Sequence, residues 1–469
     1  MPPYTQKNFK IGVRALAKSA KYFYSLNIKG GYAGIHDLDS GKVYGEGFRD
    51  SSDPNEIWVQ PPGTPYVGQC YLRAYHITNK KQYLKAAISV GKILVWGQLP
   101  VGGWRFKLDT TNFDVNNPHE PNPSPNSHYG VFDDHTTTAN ISFLMNLHQE
   151  IKESWLYTAI DKGLEFVMKA QFANGAWPQR FPLRGGYRDF YTYNDGVINN
   201  CIALMYKAHR LYDNSQYLRS AVQGSDFVLA SQLASPQAGW GEQYNHDMQP
   251  DWARPFEPPC VCPAVTVHCI GSLLHAYLYT KNKKYLQTIP EAIAWLKAAV
   301  FDEKKWARHY EIGTNKPFYV PRSGGAKYYD YNKLIEKDRN SFDYHRRAAY
   351  EGIEQFFNEI SELGATNYIA KNPNILAELE PCQYKKYVPS FGMKEKMRPK
   401  LPKLTKNAIK SLDSEGRWIG TAGLAKKMRK KQNVVLCHIF VRNFNTICAY
   451  LEEFQRLQNS NNELPSDYV

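Results

Sequence analysis

The sequence predicts an all-α fold: an (α/α) toroid of repeated antiparallel helix pairs, with long functional loops and small β elements. Two observations carry that expectation. One plan recurs four times along the chain: an apolar helix, a polar turn, a second helix opened by a pair such as Tyr-Leu, and a turn containing Trp. Within each unit the apolar residues recur at three- and four-residue steps, as an amphipathic helix requires.

The first unit runs from Gln69 through Tyr83-Leu84 and Gln98 to Gly102-Gly-Trp104. The second has Ile141 to Leu147, then Trp155-Leu-Tyr157, Gln171 and Gly175-Ala-Trp177. The third has Ile202 to Tyr206, Tyr217-Leu218, Gln232 and Gly239-Trp240, and the fourth has Leu273 to Tyr277, Tyr285-Leu286, Trp295 and Trp306. Spacings of 73, 63 and 66 residues between Trp104, Trp177, Trp240 and Trp306 exceed a solenoid repeat but suit two helices plus a functional loop. Helix pairs laid side by side in a ring gather those loops at one end, where a site can form.

The domain expectation is a toroidal catalytic domain over 1–363, a basic Lys/Pro-rich insertion or loop over 364–432, and a helix with a polar tail packing back over 433–469. Glu336 to Leu363 reads as helical, and Asn433 to Leu457 as a closing helix.

Composition narrows the function classes. The chain has 469 residues, 43% hydrophobic and 22% charged, enough apolar mass for a large core. It contains no apolar run long enough to span a bilayer, so no membrane association is expected. The amino end, Met1 to Tyr24, lacks a signal-peptide core, which leaves the compartment open: secreted or periplasmic if an export signal has been removed, otherwise cytoplasmic. Of the net charge of +14, a stretch from Lys385 to Lys431 with 15 Lys/Arg and three acidic residues supplies +12. That block carries no recognisable nucleic-acid motif, and nucleic acid is not an expected partner. Cys260 and Cys262 stand too isolated in sequence for a four-ligand zinc site, and most of the eight cysteines read as small buried hydrophobes. The 33 Tyr and 10 Trp offer flat faces that suit both helix packing and sugar stacking.

Polar residues concentrate where helices begin. Phe132-Asp-Asp-His-Thr-Thr-Thr138 and Tyr193-Asn-Asp-Gly-Val-Ile-Asn199 occupy equivalent places, as helix caps or as oxygen ligands for calcium or magnesium. Trp252-Ala-Arg-Pro-Phe-Glu257 and Trp306-Ala-Arg-His-Tyr-Glu311 are near-duplicates, and Lys316 and Arg322 follow. Four cations on one rim facing acidic residues describe a cleft for a repetitive carboxylate ligand, since guanidinium groups bind carboxylates bidentately.

With Gly31-Tyr-Ala-Gly34, Gly175-Ala-Trp-Pro-Gln179 and Arg308 to Pro317 added, this ordered set resembles the catalytic module of polysaccharide lyase family 10, the pectate lyases, from about Ala15 to Arg347. The resemblance implies a calcium-assisted lyase cleaving polygalacturonate by anti-β-elimination with an arginine as base, and a monomer is expected. It implies Arg322 as that base and Asp133 and Asp195 as calcium ligands. Arg254, Arg308, Lys316, Asp134, Asn199 and Trp177 would bind substrate. Lys316 or His135 is the fallback base. Departures are visible: the family has Asn for Asp134, Arg for Lys316, and Gly-Arg-Asp-Gly for Pro321-Arg-Ser-Gly324, and the stretch from Pro258 to Thr266 lacks the expected Ser-Gly and Glu. Two other functions fit less of the pattern: a non-catalytic polyuronate binder derived from a lyase, and a lyase or hydrolase acting on another acidic polysaccharide.

Overall fold

The computed structural model describes residues 4–46, 53–116, 128–302, 304–339, 343–379, 400–420 and 433–462. Its helices are α1 (Gln6–Ser25), α2 (Thr64–Thr78), α3 (Lys81–Trp96), α4 (Thr136–Ile151), α5 (Ser154–Ala170), α6 (Val197–Tyr212), α7 (Ser215–Ala230), α8 (Pro263–Thr280), α9 (Ile289–Ala298), α10 (Glu336–Arg339), α11 (Tyr350–Lys371), α12 (Ile375–Leu379), α13 (Leu401–Lys410) and α14 (Cys437–Asn462). Neighbouring contacts run α14, α2, α4, α6, α8, α11, with α3, α5, α7 and α9 paired outside them. This is the expected toroid. Burial separates the layers: α4 buries 11 of its 16 residues and its outer partner α5 only 8 of 17. No described helix is long and apolar enough to cross a membrane.

The repeated tryptophans are explained by one interaction. Each outer helix ends with a carbonyl that has no intrahelical donor. Trp104 Nε1 donates to Leu94 O at 2.8 Å, Trp177 to Val167 O at 2.8 Å, Trp240 to Val228 O at 2.8 Å and Trp306 to Leu296 O at 2.9 Å. The repeated glutamines staple the same turns sideways. Gln98 Nε2 donates to Gly102 O and Ala159 O, Gln171 Nε2 to Gly175 O and Ser220 O, and Gln232 Nε2 to Ala238 O and Thr288 O. Each amide thus joins its own turn to the next outer helix.

A fifth copy lies where the sequence suggested a basic loop. Trp418 Nε1 donates to Ala408 O at 2.8 Å, closing α13 as the other tryptophans close theirs. The turn abuts α1, because a Cβ on Gly416 would lie 2.6 Å from Lys18 O. Residues 400–420 therefore belong to the ring; three lysines on α13 (Lys403, Lys406 and Lys410) and Lys400 just before it obscured its apolar stripe. The rest of the 385–431 block, Cys382 and the tail after 462 lie outside the described residues. The closing helix is also an inner helix of the ring, burying Phe440, Val441, Phe444, Ile447, Cys448 and Leu451. The expected helix from Glu336 to Leu363 is instead the short α10, a strand at His345–Arg347 paired with Lys305–Ala307, and α11.

Trp177 is fully buried with its only polar atom engaged, so it cannot stack on a sugar. Its assignment as a substrate residue is overturned: the Trp-turn signal is structural.

The turn geometry predicts a stability effect. Gly175 has φ +95, and a Cβ there would lie 2.1 Å from Gln223 O. Gly175→Ala is expected to lose roughly 1–3 kcal/mol or more from strain alone, read by denaturant unfolding. Gly41→Ala, at φ +71 with open space around it, is expected to lose about 1 kcal/mol.

Candidate active site

The loops that enter the inner helices form one rim. Before α4, Asp134 (φ 50) and His135 (φ 62) occupy left-handed conformations; before α6, Asp195 (φ 50) and Gly196 (φ 74) do the same. The two turns are structural equivalents, each holding an Asp in a conformation that Asp and Asn tolerate better than most residues. The carboxylate oxygens of Asp133, Asp134 and Asp195 lie within 4.8 Å of one another. Asp133 is buried and Asp195 exposed, so the trio opens from the protein towards solvent.

Amides and arginines hold this trio. Gln60 Nε2 donates to Asp134 Oδ2 at 2.8 Å, and Gln179 Nε2 to Asp133 Oδ1 at 3.3 Å. Arg254 Nη2 reaches Asp133 Oδ2 at 3.2 Å, while its Nη1 meets Glu257 Oε1 at 3.1 Å. Asn194 Nδ2 donates to the same Glu257 oxygen at 3.2 Å. Behind them, Arg308 Nη2 lies 2.9 Å from Glu242 Oε1 and 3.9 Å from Glu257 Oε1. Carboxylate and guanidinium thus alternate from Glu242 through Arg308, Glu257 and Arg254 to Asp133.

Burial, the Asp195 charge and the Glu257 charge push the Asp133 carboxyl up to about 7, with Arg254 opposing them. Burial works against the Arg254 charge, but Glu257 and Asp133 more than offset it and hold the guanidinium protonated. Glu242 is held down to about 2: burial disfavours its charge, and Arg308, His309 and Arg346 together outweigh that.

A cleft of about 500 Å³ opens beside the trio, lined by Asp133, Asp134, Gln179, Arg254, Arg105, Arg180 and Arg188 among others. At its edge the Tyr129 ring carries the Arg105 guanidinium at 4.1 Å, with Arg184 at 5.1 Å and Arg180 at 5.6 Å. Three more arginines than the sequence reading assigned therefore face this space.

Arg322 stacks its guanidinium over the Phe256 ring at 4.8 Å, against the loop that carries Arg254 and Glu257. Lys316 is exposed on the hairpin that joins His309–Tyr310 to Pro317–Phe318. Asn199 ties α6 to α8 through Ser272 Oγ at 2.9 Å. His135 Nε2 lies 3.2 Å from Asn200 Nδ2. Gln60, Glu242, Arg105 and Arg188 were not recognised in the sequence, because each enters from a separate loop and carries no local motif. Gln179 and Glu257 stand inside quoted motifs, where a role was open to assignment.

The comparisons bear on this site. Residues 98–305 match the pectic acid lyase family. That segment contains Asp133, Asp134, Asp195 and Arg254. Arg308, Lys316 and Arg322 lie beyond its end. Curated protein sequences gave no match. Among solved structures, the chain is similar to a D-mannose isomerase at 15% identity, with 96% of this chain and 98% of that chain covered and a TM-score of 0.51. It is also similar to a family 76 glycoside hydrolase from a bovine Bacteroides thetaiotaomicron strain at 11% identity, 97% and 78% coverage and a TM-score of 0.50. Both show the toroidal fold. A D189A variant of a family 10 polysaccharide lyase from Cellvibrio cellulosa, in complex with trigalacturonic acid, aligns at 21% identity over 63% of this chain and 98% of that one, with a TM-score of 0.48.

The raised Asp133 carboxyl gives a pH prediction. A carboxyl whose folded pKa exceeds its unfolded value contributes stability below the unfolded value, and loses it as pH rises through the folded one. Metal-free protein is therefore expected to lose stability between about pH 4 and about pH 7. Asp133→Asn is expected to flatten that slope, as measured by thermal unfolding across pH.

Proposed function

We propose that the chain is a calcium-assisted lyase that cleaves an acidic polysaccharide, polygalacturonate first among candidates, by anti-β-elimination to unsaturated oligouronides. The observation that carries it is the acidic trio beside an arginine-lined cleft, inside the segment that matches the pectic acid lyase family. Calcium fits the donor set, since Asp133, Asp134 and Asp195 offer oxygen only and stand close enough to share one ion. When bound, a divalent cation neutralises a uronate carboxylate and so acidifies the adjacent C5 proton.

The chain's own residues supply the rest. Arg105, Arg180 and Arg188 along the cleft fit the carboxylates of successive uronates, one negative charge per sugar. Proton removal from C5 builds negative charge on the carboxylate, and fixed guanidinium donors stabilise it. The C4–O4 bond then breaks, leaving a double bond between C4 and C5 at a new non-reducing end, while the departing oxygen stays on the neighbouring sugar and takes a proton to become a new reducing end.

For the base, reach matters before acidity. Arg254 lines the cleft and touches the trio, whereas Arg322 stands over Phe256. We therefore assign proton abstraction to Arg254, in place of Arg322, with Glu257 fixing its orientation through two contacts. Arg254 is protonated in the metal-free site, so abstraction needs it to lose a proton once cation and substrate engage the carboxylates around it. Arg322 then supports the Arg254–Glu257 loop through Phe256.

The test is the near-ultraviolet absorbance of the unsaturated product, on polygalacturonate with calcium at alkaline pH. Arg254→Ala is expected to lower turnover by roughly 10²–10⁴-fold with retention of polymer binding, and Arg322→Ala by far less. Loss confined to Arg322→Ala would return the base to that residue. Polymer bound but never cleaved by the unaltered protein would make it a binder, and a saturated product would make it a hydrolase.

A further inference from the structure

Behind the active rim, a second group of metal-ligand side chains is buried. Glu242, Cys260 and His309 each offer a ligand atom, and these atoms lie within 4.8 Å of one another. Cys262 Sγ stands at the edge of this group, 3.7 Å from Glu242 Oε1. None is more than 5% exposed. The local backbone explains the convergence. Val261 forms an antiparallel bridge with Tyr310, so the residues flanking each of them point to the opposite face. That places Cys260 and Cys262 on the same face as His309. The link from Cys262 N to Trp240 O brings Glu242 alongside.

Polar satisfaction is incomplete there. Glu242 Oε2 and both ring nitrogens of His309 have no hydrogen-bond partner, although His309 Nε2 stands 3.4 Å from Glu242 Oε2. A buried imidazole and carboxylate oxygen left in this state cost free energy that a shared ligand would recover. Four ligands at 2.0–2.3 Å from a tetrahedral zinc lie roughly 3.3–3.8 Å apart; His309 Nε2 and Cys262 Sγ already stand 3.4 and 3.7 Å from Glu242 oxygens, and Cys260 lies within 4.8 Å.

We propose that Glu242, Cys260, Cys262 and His309 form a structural zinc site. Charge supports it. Two thiolates and a carboxylate around a divalent ion leave one negative charge, and Arg308, 2.9 Å from Glu242, balances it. Zinc rather than calcium follows from the sulfur and nitrogen donors. A site closed by four protein ligands leaves no position for substrate, so its work is to hold three loops together: the one after Trp240, the one before α8 and the strand at His309. Arg308 then connects this anchor to Glu257 and the active rim.

The sequence reading set Cys260 and Cys262 aside for want of two more ligands; these come from 18 residues upstream and 49 residues downstream of Cys260.

The test uses the full chain, stripped with a chelator, reloaded with zinc in the presence of excess calcium, which occupies the acidic trio, and then freed of unbound metal. The expected result is about one zinc retained per chain by elemental analysis, with a rise in melting temperature on zinc addition. Cobalt in its place gives the intense visible bands of a tetrahedral site and a thiolate charge-transfer band. Cys260→Ser with Cys262→Ser, and His309→Ala alone, lose stoichiometric zinc, while Asp195→Asn retains it. Full-length protein that holds no zinc, or undiminished zinc in the double-cysteine variant, overturns the proposal. Should the variants fail to fold, the cobalt spectrum of the unaltered protein decides, and absence of the thiolate band overturns it. None of these readouts depends on lyase activity.

Discussion

Each outer helix of the ring must reverse direction at a point where its last carbonyls have lost their helical donors. A tryptophan from the turn that follows supplies one of those donors and buries a large apolar surface in the same act. Trp104, Trp177, Trp240, Trp306 and Trp418 all do so. Because the donor comes from the turn itself, the chain leaves the helix along a fixed path. The segment after the turn then pairs with the loop that enters the neighbouring inner helix. Phe132 N bonds Gln179 O, Asn194 N bonds Glu242 O, and Val261 N bonds Tyr310 O. The rim loops therefore trace back to buried indoles seven to ten residues beyond the outer helix ends.

On that rim, the ladder of alternating charges does what a set of isolated ion pairs would not. Glu257 is only 2% exposed and meets Arg254, Arg308 and Asn194 at once. Removing one member would strand a buried charge, which is far more costly than the pair itself is worth. The arrangement fixes the Arg254 guanidinium against Asp133 before any ligand arrives. A preorganised group needs no rearrangement as charge develops in the transition state, which is where electrostatic catalysis gains most.

The repeat plan was legible because it is local: Gly, Trp, Gln and Tyr-Leu recur within short windows, and their spacing exposes paired helices. The paired Asp turns were legible for the same reason, Phe132-Asp-Asp-His135 and Tyr193-Asn-Asp-Gly196 differing little. What escaped was the arrangement across repeats. Gln60 meets Asp134 from another loop, Arg308 meets Glu242 across 66 positions, and nothing in either neighbourhood marks the encounter. Trp177 shows the opposite error: it stands in a motif that resembles a functional one, yet it closes a helix. Residue type and motif position report that a segment is kept in place; only the three-dimensional neighbours report why.

Repetition also explains how an acidic trio arises in a ring. The turn before each inner helix presents an equivalent position to the centre of the rim, so an Asp tolerated at φ 50 in one repeat is tolerated in the next. Asp134 and Asp195 are that pair, and they face each other because α4 and α6 are neighbours. The turn before α8 has abandoned the pattern: Cys262-Pro263 opens that helix directly, without the left-handed Asp. At that repeat the chain turns inward, and its polar residues, Glu242, Cys260, Cys262 and His309, gather beneath the rim rather than on it. One repeated scaffold thus yields two clusters of different depth and donor chemistry. Oxygen ligands lie at the solvent edge and sulfur and nitrogen ligands in the core, with Arg308 and Glu257 spanning the gap between them.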